Sequence, residues 1–298
     1  MKHGIHALVA GYFTVLCLFT VFVLLLTFVI PRRYQVEAAE TATTQKTAAA
    51  AAATTVKKTA DSYADGTLSV SLNTYRVADT TVYVADITAP TSSLKAALAD
   101  NTYGRNITET TSAIAAANNA VIAVNGDYYG ARDSGYVIRN GVLYRATSAG
   151  SDREDAVIYK DGSMAFINEG DITAEELLQD GAWQVFSFGP ALIKGGAVSV
   201  SENEEVGRSM ESNPRTAVAV TKDGHRLLVV SDGRTSESAG LSLYELAEFL
   251  QTLGVENAYN LDGGGSSTMV FCGKVINNPT TNGRSIKERS VSDIVYFG

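Results

Sequence analysis

The chain of 298 residues is 45% hydrophobic and 19% charged, which is enough for one sizeable domain or at most two small ones. Its charge is unevenly spread: the first 60 residues hold six basic and two acidic side chains, so the rest carries a net charge of −12. Such an acidic body argues against a nucleic-acid partner, because a nucleic-acid groove needs clustered lysine and arginine.

The scarcity of cysteine and histidine excludes further classes of site. One of the two cysteines, Cys17, lies in an apolar run, so Cys272 can form neither a disulfide within the folded domain nor a cysteine-based zinc site. Three histidines, two of them before the apolar run, exclude a zinc site built from several histidines. His225 alone could serve a Ser-His-Asp triad, and its place beside an Asp-Gly turn favours a solvated loop residue.

Residues 7–30 form an uncharged run that is long enough to cross a bilayer core as a helix. The run is longer than the apolar region of a signal peptide, so we predict an uncleaved anchor, although residues 36–38 resemble a small-x-small cleavage site. We therefore expect one transmembrane helix within residues 1–33 that binds the chain to the membrane.

The next segment, residues 34–62, is rich in alanine and threonine, which make up 17 of the 23 positions from 38 to 60. Threonine interrupts the alanine blocks and no apolar face is available to bury, so we predict a tether rather than a short helix. Residues 63–298 would then form the folded domain. We expect this domain to be extracytoplasmic, on a single-pass protein of the cell membrane, because of the sugar-type motifs described below.

Short strand-like stretches dominate the domain. Alternating or continuous apolar runs occupy residues 68–72, 81–87 and 120–124. Asn-Gly or Asp-Gly pairs join further runs into three predicted hairpins, because these pairs supply the turn residues with positive φ. The hairpins cover residues 136–144, 156–167 and 217–230.

Few helices are predicted. The clearest covers residues 242–253, where Ser242 and Glu245 form a capping box and Gly254 follows the last apolar position. Weaker helices are expected at residues 93–99 and 109–117. The pattern predicts an α+β fold of mixed, mostly antiparallel twisted β-sheets with a few packed helices, preceded by one transmembrane helix.

Three polar clusters lie at the ends of apolar strands, where a rigid support can hold side chains in place. The first, residues 125–130, reads Asn-Gly-Asp-Tyr-Tyr-Gly. The second, residues 213–216, begins a strand whose hairpin partner ends at residues 231–234, so Arg215 should lie near Asp232 and Arg234. An ordinary turn and a surface salt bridge are the respective alternatives for these two clusters.

The third cluster, residues 260–268, reads Asn-Leu-Asp-Gly-Gly-Gly-Ser-Ser-Thr and precedes an apolar run. Three glycines between two apolar runs allow successive backbone N–H groups to point at one spot, which suits a phosphate or a sugar oxygen. A flexible loop is the alternative. The cluster is neither a Walker loop nor a nucleophile elbow, since it lacks the lysine of the first and the spacing of the second.

The order of these motifs resembles the phosphodiester glycosidase family over roughly residues 75–298. Smaller matches are Phe-Gly-Pro-Ala-Leu at 188–192 and Glu-Arg-Ser-Val at 288–291. The resemblance implies a glycosidase that hydrolyses a sugar-1-phosphodiester, similar to an N-acetylglucosamine-1-phosphodiester, in cell-envelope or exopolysaccharide metabolism. Its partner would be that carbohydrate phosphodiester substrate.

The chemistry of this reaction assigns roles to the clusters. The carbon at which cleavage occurs needs a carboxylate nearby, and the departing phosphate needs donors. The catalytic candidates are Asp262, Asp127 and, third, Asp232. The substrate-binding candidates are Asn125, Asn213, Arg215, Thr216, Arg234, Gly263, Gly264, Gly265, Ser266 and Ser267. Tyr128 or Tyr129 could stack on the sugar ring.

Two other functions fit the same motifs. The first is a non-catalytic envelope module that binds phosphosugar polymers; it would use Arg215 and the glycine-rich cluster and would need no carboxylate at C1. The second is a structural component of polysaccharide export in which the site is vestigial. The aspartates in the motif blocks favour the enzyme. No cofactor and no metal site are predicted, although such carboxylates could bind Ca²⁺ or Mg²⁺.

Overall fold

The computed structural model describes residues 2–33, 56–89, 94–203 and 212–298, with side chains described from residue 12 onward except at residues 27 and 28. Most of the predicted tether, residues 34–55, lies outside the described residues. The helices of the described residues are α1 (Lys2–Phe28), α2 (Thr111–Ala117), α3 (Ala174–Gln179) and α4 (Leu243–Thr252).

The strands of the described residues are, in chain order, β1 (Arg32–Arg33), β2 (Lys57–Lys58), β3 (Ser62–Ala64), β4 (Ser69–Val77), β5 (Thr80–Thr88), β6 (Lys95–Leu98), β7 (Gly104–Arg105), β8 (Ile122–Asn125), β9 (Val137–Arg139), β10 (Val142–Arg145), β11 (Glu154–Tyr159), β12 (Met164–Asn168), β13 (Ala182–Phe186), β14 (Ala191–Lys194), β15 (Ala197–Val198), β16 (Arg215–Thr221), β17 (Arg226–Ser231), β18 (Val255–Asn260), β19 (Met269–Phe271), β20 (Lys274–Val275) and β21 (Asp293–Phe297).

These strands form three larger sheets. The nine-stranded sheet has the order β15-β14-β18-β16-β17-β5-β4-β3-β2, and two five-stranded sheets have the orders β10-β9-β13-β11-β12 and β20-β19-β8-β21-β6. A two-stranded sheet, β1-β7, links the segment after α1 to the domain. Every strand pair within the described residues is antiparallel, and few helices accompany the sheets, so the α+β prediction is confirmed.

The three hairpins form as the turn chemistry predicts. Asn140 and Gly141 connect β9 to β10 with φ values of 53° and 73°, the two positive angles that a type I′ turn requires. In the hairpin of β16 and β17, Arg215 pairs with Ser231, which places the second cluster beside the residues that follow β17.

The helix predictions are mostly confirmed. Ser242 caps α4 and shares a capping box with Glu245, and α2 begins after its cap Thr110. Residues 95–98 of the segment predicted as a helix at 93–99 form β6 instead, because they pair with the distant strand β21. Helix α3 is not among the predicted helices, although its capping box of Thr173 and Glu176 is a readable signal.

The transmembrane prediction finds no support in the structure. Helix α1 occupies most of the uncharged run, yet in the part of the chain that the structure describes, no helix is long and apolar enough to cross a membrane.

Asp155 on β11 is a buried carboxyl whose electrostatic neighbours are the Glu169 carboxyl, the Ser187 hydroxyl and the Arg153 guanidinium. Neither of its carboxyl oxygens has a hydrogen-bond partner among the described residues. Burial raises the pKa of Asp155 to about 9, and the nearby Glu169 carboxyl adds to the increase. A carboxyl whose pKa is higher in the folded than in the unfolded chain stabilises the fold fully at acidic pH and loses that contribution as pH rises toward 9.

Replacing Asp155 by asparagine should therefore stabilise the protein at alkaline pH. We expect the free energy of unfolding of Asp155→Asn to exceed that of the wild type by about 2 kcal/mol at pH 8, the order of cost of an uncompensated buried polar group, and by less at pH 5. Urea unfolding at both pH values measures this difference. Asp223→Asn, at an exposed turn, is the control, and an equal difference at both pH values would refute the argument.

Candidate active site

The three polar clusters converge at the junction of the nine-stranded sheet and the sheet that contains β8. The side-chain amide of Asn125, at the end of β8, donates to the backbone oxygen of Asp262 at 2.6 Å. Its carbonyl oxygen accepts from the Thr216 hydroxyl at 2.8 Å, and that hydroxyl lies 3.2 Å from the Ser267 Oγ. Since the side chains of Asn125, Thr216 and Ser267 are buried, this network fixes the position of the glycine loop, residues 263–265, rather than contacting a ligand directly.

The glycine loop is tightly enclosed. Gly264 has a φ of 60°, and a Cβ atom there would lie 2.9 Å from Nη2 of Arg234. A Cβ atom on Gly265 would lie 2.4 Å from Oγ1 of Thr281. The loop therefore needs glycine because side chains approach its backbone from two sides.

The backbone N–H groups of this loop are mostly engaged within the chain. The amide of Gly264 donates to the Pro214 oxygen at 2.8 Å, and those of Ser266 and Ser267 donate to the oxygens of Gly263 and Gly264 at 3.2 Å. The anion-binding nest proposed from the sequence is thus largely occupied by internal hydrogen bonds. Cationic side chains beside the loop are therefore stronger candidates for holding a phosphate than the loop amides.

Arg289 is the first of these cationic side chains, and it forms an ion pair with the carboxylate of Asp262. Its Nη2 donates to Oδ2 of Asp262 at 2.8 Å, and its Nε donates to Oγ of Ser266 at 2.9 Å. The Ser266 hydroxyl also donates to the same Oδ2 at 2.5 Å. The Arg289 side chain is 39% exposed and that of Asp262 is 12% exposed, so the pair lies at the edge of solvent.

Burial raises the pKa of Asp262, and the Arg289 guanidinium and the Ser266 hydroxyl oppose this increase. The carboxylate is therefore a better proton acceptor than an exposed aspartate, while Arg289 still favours its charged form.

Arg234 supplies the second cation on the other side of the glycine loop. Its Nη2 and Nε donate to Oδ1 of Asn213 at 2.8 and 3.1 Å, and its Nη1 donates to the Thr281 oxygen at 2.6 Å. Burial lowers the pKa of Arg234, and the positive charge of Arg289 lowers it further. Two guanidinium groups that repel each other across a glycine loop make this edge of the site attractive to an anion.

A cavity of about 160 Å³ opens beside this cluster, and Asp262, Gly126, Gly130 and Tyr128 contribute to its wall. Tyr128 is 45% exposed and has a φ of 70°, a conformation that costs a bulky residue energy. The surrounding residues keep the Tyr128 backbone in this conformation, and its exposed side chain lines the cavity. Tyr129, by contrast, is buried, so of the two tyrosines only Tyr128 is placed to meet a sugar.

Asp127 lies in a different environment from Asp262. Its carboxylate is 1% exposed and forms an ion pair with Nη2 of Arg139 at 2.7 Å, and it accepts the backbone N–H of Ser187 at 3.0 Å. Nε of Arg139 donates to Asp293 at 2.8 Å, so one buried guanidinium holds two buried carboxylates. Gly126 permits this approach, because a Cβ atom there would lie 2.0 Å from Oδ1 of Asp293.

The carboxylate of Asp232 is also occupied by the chain. It accepts the backbone and side-chain amides of Asn278 at 2.8 and 3.0 Å and lies 3.3 Å from the Tyr83 hydroxyl. Burial beside this carboxylate raises the pKa of Tyr83 to about 12, so the hydroxyl remains a donor. This geometry assigns Asp232 to holding the loop at 277–278, and its catalytic role remains a prediction from the sequence.

Arg215 lies beside the residues that follow β17, as the hairpin predicts, but its side chain is 2% exposed and its Nε donates to the Leu241 oxygen at 2.7 Å. The structure thus brings together Asp262, Ser266 and Arg234, and it surrounds them with residues that support the backbone.

Two important residues have no role assigned from the sequence. Arg289 lies within a family-like block, and a basic residue just before the last strand is a readable signal. Arg139 stands alone in an apolar strand, which also marks a buried charge that needs partners. In the described part of the chain, no group of three His, Cys, Asp or Glu side chains could hold a metal ion.

The antiparallel fold agrees with comparisons to known proteins. The sequence profile described as phosphodiester glycosidase matches residues 118–298, which is more than half of the chain. The chain therefore belongs to the phosphodiester glycosidase family, as the order of its motifs indicates.

Several relatives share this domain. N-acetylglucosamine-1-phosphodiester α-N-acetylglucosaminidase of Mus musculus is 31% identical over 173 residues, 53% of this chain. An uncharacterised prophage-derived protein of Bacillus subtilis is 29% identical over 217 residues, 66% of this chain. The chain spans about a third of the length of these curated relatives, 33% in each case.

Solved structures show the same fold. The catalytic domain of the zebrafish N-acetylglucosamine-1-phosphodiester α-N-acetylglucosaminidase, auto-inhibited by its pro-peptide, superposes with a TM-score of 0.61 at 22% identity and covers 77% of this chain and 82% of that one. A hypothetical protein from Synechocystis superposes with a TM-score of 0.55 at 18% identity, covering 77% of this chain and 61% of that one.

Proposed function

We propose that this chain hydrolyses the bond between C1 of a sugar and an oxygen of a phosphodiester, with an N-acetylglucosamine-1-phosphodiester as the model substrate. The observation that carries the proposal is the carboxylate of Asp262, which faces a cavity and is held by Arg289 and Ser266 at 2.8 and 2.5 Å. Membership of the family and the activity named for the mouse relative support it.

The chemistry of the leaving group explains why two arginines and one carboxylate are sufficient for this hydrolysis. When the C1–O bond breaks, the electron pair remains on a phosphate monoester oxygen, which is already a weak base. A general acid therefore gains less than in ordinary glycoside hydrolysis, and stabilisation of negative charge contributes more. Arg234 and Arg289 flank the glycine loop and supply that stabilisation.

Asp262 supplies the carboxylate beside C1, where positive charge develops. In the direct route, a water molecule forms the new bond to C1 and gives its proton to the Asp262 carboxylate, whose pKa burial has raised. Tyr128 provides the face on which the sugar ring lies. The configuration of the anomer that is first released shows whether water or Asp262 attacks C1 first, because the two routes give opposite configurations.

The proposal is tested by incubating the purified chain with UDP-N-acetylglucosamine and with the methyl phosphodiester of N-acetylglucosamine-1-phosphate, and following products by phosphorus NMR. We expect a phosphate monoester and free N-acetylglucosamine. Binding of the diesters without any release would instead assign the chain to the non-catalytic phosphosugar-binding modules. Neither binding nor release would contradict both functions.

Arg289 should contribute to the rate through the phosphate and through Asp262. We expect Arg289→Ala to lower kcat/KM by about 100-fold, the order seen when one donor to a developing charge is removed. The kcat/KM of Arg289→Lys should lie between those of the wild type and Arg289→Ala, because a lysine keeps the charge but cannot donate to Asp262 and Ser266 at once. Lys222→Ala, at the far end of the β16–β17 hairpin, is the matched control, and equal rates in all variants would remove Arg289 from the site.

We also propose, from the polar motifs of the candidate site, that the domain works outside the cell membrane in envelope or exopolysaccharide metabolism. Large apolar side chains of α1, including Phe13, Leu18 and Phe19, are exposed and agree with an apolar environment for this helix. Membrane fractionation, followed by protease treatment of intact cells, tests this location. Recovery of the full chain in the soluble fraction would overturn it.

A further inference from the structure

A second, larger cavity adjoins the one that Asp262 faces. It encloses about 390 Å³ and lies on the other side of the turn at Tyr129–Ala131. Consecutive residues separate the two spaces: Asn106 and Ala131 line the smaller cavity, whereas Arg105 and Arg132 line the larger one. A group bound in the larger cavity would therefore be a direct extension of a sugar bound beside Asp262.

The wall of this second cavity is aromatic on one side. Tyr103 stacks on Tyr129 with ring centroids 5.2 Å apart and an interplanar angle of 15°, and Tyr144 packs against Tyr103 at 5.0 Å. Tyr103 and Tyr129 are both buried, while Tyr144 is half-buried and is the more accessible ring of the three at the cavity. A rigid aromatic platform of this kind suits the flat face of a ring.

The lining of the same cavity is also cationic. Arg105, Arg132 and Arg145 line it, and Asp133, which pairs with Arg105 at 2.6 Å, is the one acidic side chain among its lining residues. Nε of Arg105 is buried and has no hydrogen-bond partner among the described residues. Three guanidinium groups and one carboxylate leave the lining of this cavity with excess positive charge, which favours an acidic ligand.

The location of the second cavity indicates which end of the substrate it meets. Arg234 and Arg289 contact the glycine loop, whereas none of the residues that line the second cavity belongs to that loop. The second cavity is therefore placed to meet the part of the sugar remote from C1. An aromatic platform with excess positive charge there fits a second sugar unit that carries an acidic group.

We propose that the cavity of Tyr103, Tyr144 and Arg105 is a subsite for an acidic sugar attached to the sugar that is cleaved, so that the substrate is the phosphodiester-linked end of an acidic oligosaccharide. This inference rests on the proposed function for the reaction, and it adds the substrate class. The arginines bind the acidic group, and the tyrosines bind the ring.

Binding tests the subsite independently of turnover. Titration calorimetry with the full chain uses a disaccharide of glucuronic acid linked to N-acetylglucosamine as the probe and the neutral disaccharide of two N-acetylglucosamines as the control. We expect the acidic probe to bind at least 10-fold more tightly than the neutral one, and Arg105→Gln and Tyr144→Ala to remove that preference. Equal affinity of the two probes for the wild type would overturn the proposal.

Rates of hydrolysis of two diesters distinguish the subsite proposal from the proposed glycosidase function. The 1-phosphodiester of the acidic disaccharide should have a kcat/KM about 10-fold above that of the monosaccharide diester, and Arg105→Gln should lower only the former. A chain that hydrolyses both diesters equally well would refute the subsite and leave the glycosidase intact. Selective binding of the acidic probe without hydrolysis of any diester would refute the reaction and keep the subsite. Thermal unfolding of both variants, compared with the wild type, identifies any loss that is due to misfolding.

Discussion

Replacing Asp262 by asparagine should lower kcat by about 1,000-fold, the scale of a lost catalytic carboxylate. Asparagine keeps the size of the side chain and can still accept from Arg289 and Ser266, so the site should remain assembled. It cannot accept a proton or carry the negative charge that C1 requires. Initial rates of phosphate monoester release, measured by phosphorus NMR, give the comparison.

The pH dependence of the wild-type rate carries a second signature of Asp262. The reaction needs the ionised carboxylate, so kcat/KM should rise with pH through a pKa above 3.8, the ordinary value for aspartate, because burial raises it. Arg289 opposes that increase, so Arg289→Ala should move the rising limb to higher pH.

Asp223→Asn is the matched control for Asp262→Asn, since Asp223 lies at an exposed turn. We expect it to retain the wild-type rate and pH profile. If Asp262→Asn were within a factor of three of the wild type, another carboxylate would be the catalytic group, and Asp127→Asn and Asp232→Asn would be the next variants to measure.

Replacing Arg139 by leucine should destabilise the fold by about 3–5 kcal/mol, because two carboxylates then remain buried without a counter-charge. Arg139 pairs with Asp127 at 2.7 Å and with Asp293 at 2.8 Å, and its Nη1 also donates to the Val185 oxygen. All three charged side chains are 1% exposed. Urea unfolding at pH 7 measures the loss.

The pH dependence of that loss distinguishes a charge effect from a packing effect. Burial already raises the pKa of Asp293, and Arg139 opposes this increase. Without Arg139, the carboxyl groups should take up protons more readily, so Arg139→Leu should be less destabilising at pH 5 than at pH 8. Adding Asp127→Asn and Asp293→Asn to Arg139→Leu should restore part of the stability at pH 8. A loss that is equal at both pH values would mean that packing dominates.

This buried triad also connects the fold to the site. Asp127 accepts the backbone N–H of Tyr129 at 3.2 Å and so holds the turn that follows Tyr128. The exposed ring of Tyr128 and the wall of the smaller cavity depend on this turn. The aspartate in the first polar cluster therefore supports the turn that carries Tyr128, whereas the aspartate in the third cluster lines the smaller cavity.

Features set by local chemistry could be predicted from the sequence. The Asn140-Gly141 turn and the Ser242–Glu245 capping box follow from neighbouring residues, and the structure contains both. The segment at 93–99 could not be predicted in this way, because its pairing with β21 joins residues nearly 200 positions apart. The alanine-rich segment has a local preference for helix, but pairing with this distant strand outweighs that preference.

The candidate site shows the same division. The order of the motifs was sufficient to identify the family and to single out Asp262 directly before the glycine loop. Which arginine faces the ligand depends on packing: Arg215 is 2% exposed and bonded to Leu241, whereas Arg289 is partly exposed and holds Asp262. Both are arginines that begin or precede a strand, so no pattern in the sequence could separate them.

The measurement that most directly tests the central claim is hydrolysis of the methyl phosphodiester of N-acetylglucosamine-1-phosphate in water enriched with oxygen-18. A glycosidase breaks the C1–O bond, so the label should enter the C1 hydroxyl of the sugar and leave the phosphate monoester unlabelled. Mass spectrometry of both products, supported by the isotope shift in phosphorus NMR, reads the outcome. Label in the phosphate would show attack at phosphorus, which would contradict the role given to Asp262 and make the chain a phosphodiesterase.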